Sequence, residues 1–153
     1  MTPSTYQRSI NALRKNHVRI TPQRQIILKY LIHHRNHPSV ETIYHAINRK
    51  FTNLSIATVY NTLKLLNHLN IIIELPSQGT GLRFDFFGIP HFHAICERCG
   101  RIFDVKDAQY SKIDRELKQL TVSHTHFQVN YSKIEVYGLC PICQKELQQQ
   151  KDD

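Results

Sequence analysis

The chain has four cysteines in 153 residues, arranged as two Cys-x-x-Cys pairs, Cys96/Cys99 and Cys140/Cys143. Each two-residue spacer lets a pair of sulfurs approach one ion from a single turn, and two such knuckles complete a closed tetrahedral zinc site. The 40 residues between the pairs mean that such an ion would tie distant parts of one domain together. Two other uses of cysteine fit less well. A dithiol redox pair sits at the end of a strand in a βαβ pattern, which neither pair follows. A zinc deaminase needs a glutamate two residues after a histidine and a Pro-Cys-x-x-Cys run, whereas this chain reads Leu139-Cys140-Pro141-Ile142-Cys143. The expectation is a structural zinc held by Cys96, Cys99, Cys140 and Cys143.

The formal net charge of +8 is unevenly placed. Residues 1–88 carry eleven Lys/Arg against three acids, and residues 89–153 carry nine of each. A small basic domain beside a neutral one bearing metal ligands suggests a polyanion-binding module joined to a sensing or assembly module. The opening residues have no apolar core of a secretion signal, and no run approaches membrane-spanning length. A cytoplasmic protein with reduced thiols and no membrane partner is therefore expected.

Local patterning divides the chain near a hinge at 88–91, with domains expected over 1–88 and 89–153. Residues 4–16 read as a basic helix. Thr21 followed by Pro22 is a helix start, with the helix running to about His33. Ser39 opens a third helix whose stripe is Val40, Ile43, Tyr44 and Ile47. Ser55 opens a fourth, to about Leu69, with Ile56, Val59, Leu63 and Leu66 expected to be buried. Two β-rich runs, 71–75 and 82–87, flank the turn-rich segment 76–81 and read as a hairpin. Helices followed by such a hairpin form a winged helix-turn-helix. Arg19 and Arg24 are candidate phosphate contacts. Thr58, Tyr60, Asn61 and Lys64, which lie off the buried stripe of the fourth helix, are candidates to approach bases. The second domain should be a small α/β module: strands at 91–96 and 101–106, a helix at 108–120, a β-rich run at 127–139 and a tail helix from Pro141. Its core is small, so zinc and dimerisation are expected to support it. The fold class is thus α+β.

A second metal site is suggested by His91 and His93, which strand alternation puts on one face. Spacing alone does not select partners for them among the remaining histidines and aspartates, although His37, Asp85 and Asp104 are possible. His124 and His126 also stand two apart and leave a further site open.

Several stretches together are similar to the ferric uptake regulator family: Arg-Ile-Thr-Pro-Gln-Arg at 19–24, His-Pro-Ser at 37–39, Ser-Ile-Ala-Thr-Val-Tyr-Asn-Thr-Leu at 55–63, Arg-Phe-Asp-Phe at 83–86, His-Phe-His-Ala-Ile-Cys-Glu-Arg-Cys-Gly at 91–100, and Tyr-Gly-Leu-Cys-Pro-Ile-Cys at 137–143. Within that family the chain most resembles the peroxide-responsive branch. The resemblance implies a homodimeric repressor of operator DNA, not an enzyme, with manganese or iron in a regulatory site of His37, Asp85, His91, His93 and Asp104. Such a shell of nitrogen and oxygen donors suits those metals better than a four-sulfur site does. It further implies that peroxide acts at bound ferrous iron and oxidises His37 or His91, so that metal ions and hydrogen peroxide are the small molecules to expect. Phe92 departs from the tyrosine usual in that branch. The alternative within the family is a zinc, iron or manganese uptake regulator without peroxide chemistry. Outside it stand a metal-dependent hydrolase, disfavoured because no His-Glu-x-x-His, nucleophile elbow or phosphate loop is present, and a zinc-stapled interaction protein.

Overall fold

The computed structural model describes residues 4–77, 81–88 and 90–152, and for 151 and 152 the backbone only. The chain forms two compact units, 1–89 and 90–153. The hairpin-loop residues 78–80 and the hinge residue 89 lie outside the described residues.

In the first unit four helices precede a two-stranded hairpin: α1 Thr5–Lys15, α2 Pro22–His33, α3 Val40–Asn48, α4 Ile56–His68, β1 Ile72–Leu75 and β2 Arg83–Phe86. Every helix start has a hydroxyl cap. Ser4, Thr21, Ser39 and Ser55 accept from the backbone N–H of Gln7, Arg24, Thr42 and Thr58 respectively. These caps satisfy donors that the helix itself leaves open, and they fix the boundaries that the sequence announces. Ser55→Ala should therefore cost about 1 kcal/mol, read as a lowered urea midpoint with an unchanged slope. An unchanged midpoint would mean that solvent serves Thr58 N–H equally well.

β1 and β2 pair antiparallel from Ile72 opposite Phe86 to Leu75 opposite Arg83. A single core unites the unit: Leu13, Ile27, Leu28, Leu31, Ile43, Val59, Leu63, Leu66, Ile72 and Phe84 are all nearly inaccessible. The elements and core are those of a winged helix-turn-helix. One expectation fails here. Ile56 is 46% exposed, and Thr62 takes a buried place instead. Ile56 is the first residue of α4, and a helical Cβ leans toward the N-terminus, so its side chain overhangs the edge of the core.

The second unit contains β3 Phe92–Cys96, β4 Ile102–Val105, α5 Tyr110–Thr125, β5 Glu135–Gly138 and α6 Pro141–Asp152. Its sheet has the order β4-β3-β5, with β4 antiparallel and β5 parallel to β3. The parallel pair needs a crossover, which α5 supplies. α5 extends past the expected end at 120 to Thr125, where His126 adopts a left-handed conformation (φ 56°) and terminates it. The β-rich run expected at 127–139 contracts to four residues. With His93 paired to Glu135, residues before 134 lie beyond the start of β3 and have no strand to pair with.

Candidate metal centres

The second unit brings its four cysteines together. Cys96 closes β3, Cys99 lies in the turn that follows, and Cys140 and Cys143 flank the start of α6. The turn is tight because Gly100 takes φ 68°, which glycine adopts without steric cost, and its N–H bonds Cys96 O at 2.9 Å. One sulfur from each cysteine lies within 4.8 Å of the others. Cys99 Sγ and Cys140 Sγ are 3.8 Å apart, the edge of a tetrahedron with Zn–S bonds of ~2.3 Å. Two of the four sulfurs are shifted in opposite directions. Backbone N–H groups of Cys140 and then Cys99 pull the Cys96 thiol down to about 6. Burial and the neighbouring sulfurs push Cys143 up to about 12, and a cation between them would reverse that effect. The donor set fits a closed, structural zinc.

A second donor set lies at the other end of β3. His91 immediately precedes the strand, and His93 is its second residue, opposite Asp104 of β4. His91 and His93 are both buried, His93 at 1% exposure. Their Nε2 atoms are 3.1 Å apart, and Asp104 Oδ1 lies 3.7 Å from that of His91 and 3.6 Å from that of His93. Two donors on one ion with bonds of ~2.1 Å can stand no more than about 4.2 Å apart. All three distances fall inside that limit, so the three side chains fit a common ion of the kind that accepts imidazole and carboxylate.

The remaining candidates lie in the first unit. His37 is buried in the loop before α3 with φ 48°, a left-handed conformation that costs a non-glycine residue energy and often marks a functional position. Asp85, 2% exposed, sits in β2. Phe84 N–H bonds Pro38 O at 3.1 Å, which holds the His37 loop alongside the strand carrying Asp85. On α4, Tyr60, Asn61 and Lys64 are exposed and Thr58 partly so, with Thr58 Oγ1 2.8 Å from the cap Ser55 Oγ. Arg19 is exposed, and Arg24 donates to Arg19 O at 2.6 Å. His124 and His126 are exposed, and neither joins a group of three metal-binding side chains among the described residues.

Glu135 escaped the sequence reading. It is the β5 neighbour of His93, and Lys133 Nζ contacts it at 2.5 Å while the Tyr137 hydroxyl donates to it. Burial alone would raise its carboxyl, but these two hydrogen bonds prevail and hold it below its ordinary value. Only the pairing of β5 with β3 could have revealed it.

Among the described residues no helix is long and apolar enough to cross a membrane. The ferric uptake regulator family matches residues 15–137. The chain is 46% identical over 136 residues to the peroxide-responsive repressor PerR of Staphylococcus saprophyticus, covering 89% of each. Among solved structures it is similar to PerR of Streptococcus pyogenes, described as a basis for peroxide sensing and gene regulation (35% identity, 93% of this chain and 95% of that one, TM-score 0.54). It is also similar to the ferric uptake regulator of Helicobacter pylori, described as having three functional metal-binding sites (26% identity, 92% and 91%, TM-score 0.68). The chain belongs to the ferric uptake regulator family.

Proposed function

We propose that this chain is a metal-dependent transcriptional repressor, not an enzyme, that binds operator DNA as a homodimer and leaves it in response to peroxide. The observation that carries this reading is the coexistence of two unlike donor sets on one small unit: four sulfurs suited to permanent zinc, and the His91, His93 and Asp104 cluster suited to manganese or iron. His37 and Asp85 complete the regulatory shell from the DNA-binding domain. A ligand set drawn from both domains converts metal occupancy into a preferred domain arrangement, a population shift toward the DNA-binding form. Residues 1–88 form the DNA-binding domain and 89–153 the metal-binding dimerisation domain.

The surfaces support these roles. In the second unit Phe103, Ile113, Leu117, Leu120, Val136 and Leu139 are all at least 39% exposed, as expected where a second copy covers them. The first unit carries the excess positive charge and presents Tyr60, Asn61 and Lys64 outward on α4. Because phosphate neutralisation releases counterions, operator affinity should fall by at least about 10³-fold between 50 and 200 mM salt. A nearly flat dependence in fluorescence anisotropy would refute the phosphate contacts.

Ferrous iron, when bound, supplies the one-electron chemistry by which hydrogen peroxide adds an oxygen atom to a neighbouring imidazole. His37 and His91 are the rings offered to it. An oxidised ring is a poorer nitrogen donor, so the shell loses a member and the domains lose the tie that held them for DNA. The test is operator binding by iron-loaded and manganese-loaded protein before and after micromolar peroxide. Release of the iron form alone, with one oxygen added to a His37 or His91 peptide, is the expected result. If both forms stay bound, the protein is a metal-uptake regulator of the same family.

A further inference from the structure

His93 occupies the middle of a three-residue row across the sheet: Asp104 opposite it on β4 and Glu135 opposite it on β5. Side chains paired laterally across strands lie on one face of a sheet, and neighbouring strands are about 4.8 Å apart, so both carboxylates flank the imidazole. The two sides of the ring are not equivalent. Nε2 is 3.1 Å from His91 Nε2 and 3.6 Å from Asp104 Oδ1, which commits that nitrogen to the metal-binding cluster. Nδ1 is the ring's other nitrogen, separated from Nε2 by Cε1, and Glu135 is the carboxylate on the remaining side of the row.

Glu135 is itself held in place. Glu135 and Tyr137 share one face of β5, and Lys133 lies two residues before the strand; Lys133 Nζ is 2.5 Å from Glu135 Oε1, and the Tyr137 hydroxyl donates to Oε2. An ionised carboxylate has about four acceptor positions, so two donors leave capacity for a third. A histidine that ligates metal through one nitrogen commonly donates its other N–H to a carboxylate, which fixes both tautomer and ring orientation.

We propose that Glu135 is a positioning residue for the regulatory metal centre: its carboxylate accepts the Nδ1 proton of His93 and so holds Nε2 as the ligand nitrogen. This rests on the reading of His93 as a regulatory ligand. It gives Lys133 and Tyr137 a role one step further out, as the groups that aim Glu135.

The test uses the full chain, zinc-loaded at its cysteines, labelled with ¹⁵N-histidine and free of regulatory metal. Long-range ¹H–¹⁵N correlation spectra distinguish the two imidazole tautomers directly. His93 is expected as the Nδ1–H tautomer in the unmodified protein and to lose that preference in Glu135→Leu. The manganese affinity of that variant should fall about 10- to 100-fold. Glu135→Gln keeps an acceptor oxygen of the same reach and should restore the tautomer and most of the affinity. An Nε2–H tautomer in the unmodified protein would overturn the proposal without any variant, and so would a Glu135→Leu protein whose His93 tautomer is unchanged. His93→Ala separates the two levels of argument. If that variant binds manganese normally, the regulatory centre itself is misassigned; if it loses manganese while Glu135→Leu keeps both tautomer and affinity, only the role of Glu135 falls.

Discussion

Stripping zinc from the four cysteines is expected to unfold residues 90–153 while leaving residues 4–77 and 81–88 folded. The asymmetry follows from where apolar area is buried. The first unit closes over one core reaching from Ile10 to Phe86. Among the described residues of the second unit the buried apolar ones are Ile95, Tyr110 and three of the cysteines, too little to offset the ordering of some sixty residues at ~1–2 kcal/mol each. Structural zinc contributes about 10–16 kcal/mol in small metallo-domains, comparable with the whole stability of an ordinary domain. Here it joins the end of β3, the following turn and the start of α6, alongside the contacts of Arg98 with Cys143 O and with the exposed Glu146. Cys99→Ser is the sharpest variant, because Cys99 is exposed and its substitution removes a ligand without opening a cavity. Hydrogen exchange should then show amides of β3, β4, β5 and α5 exchanging at unfolded rates while those of α2 to α4 stay protected. Persistent protection of β3 in protein shown by mass spectrometry to hold no zinc would defeat this account.

What the sequence disclosed, and what it withheld, divides by the range of the interaction involved. The Ser39 and Ser55 helix starts, the Thr21-Pro22 start and the cysteine knuckles act within a few residues, and each lies where the sequence places it. His91 and His93 share the buried side of their strand as period-two alternation requires. Helical periodicity places Ile56 on the buried stripe but does not say where the core beneath it ends. The run at 127–139 has β-forming composition throughout, yet only the part that reaches β3 becomes a strand. Glu135 is a more consequential case. No local pattern sets it apart from Glu97 or Glu146, and its nearness to His93 exists only because a parallel pairing forms across the α5 crossover. His37 and Asp85 likewise gained their standing as ligand candidates from resemblance to a family. The structure adds to each a property that sequence does not supply, burial for both and a left-handed backbone for His37.

His93→Ala is expected to abolish manganese-dependent operator binding while preserving the zinc-supported fold. Two effects of the substitution compete for attention, and they differ in kind. Emptying a side chain that is 1% exposed leaves a cavity, at a cost on the order of 1–3 kcal/mol that is the same with or without manganese. Removing the central nitrogen of the His91, His93 and Asp104 cluster acts only when metal is offered, and should weaken binding by more than the 10- to 100-fold typical of an outer-shell change. Thermal unfolding with and without manganese separates them. A ligand at 100 times its dissociation constant stabilises the folded protein by about 2.7 kcal/mol, so the unmodified protein should show a clear rise in Tm at such a concentration. The variant should start slightly lower and show no rise. Its operator affinity should then equal that of metal-free protein at every manganese concentration at which the unmodified protein responds. A Tm rise of normal size in His93→Ala would place manganese elsewhere in the molecule. Because Asp104→Asn preserves volume and removes only a charge, its Tm rise and operator affinity should lie between those of the unmodified protein and His93→Ala, an order that a purely steric explanation does not give.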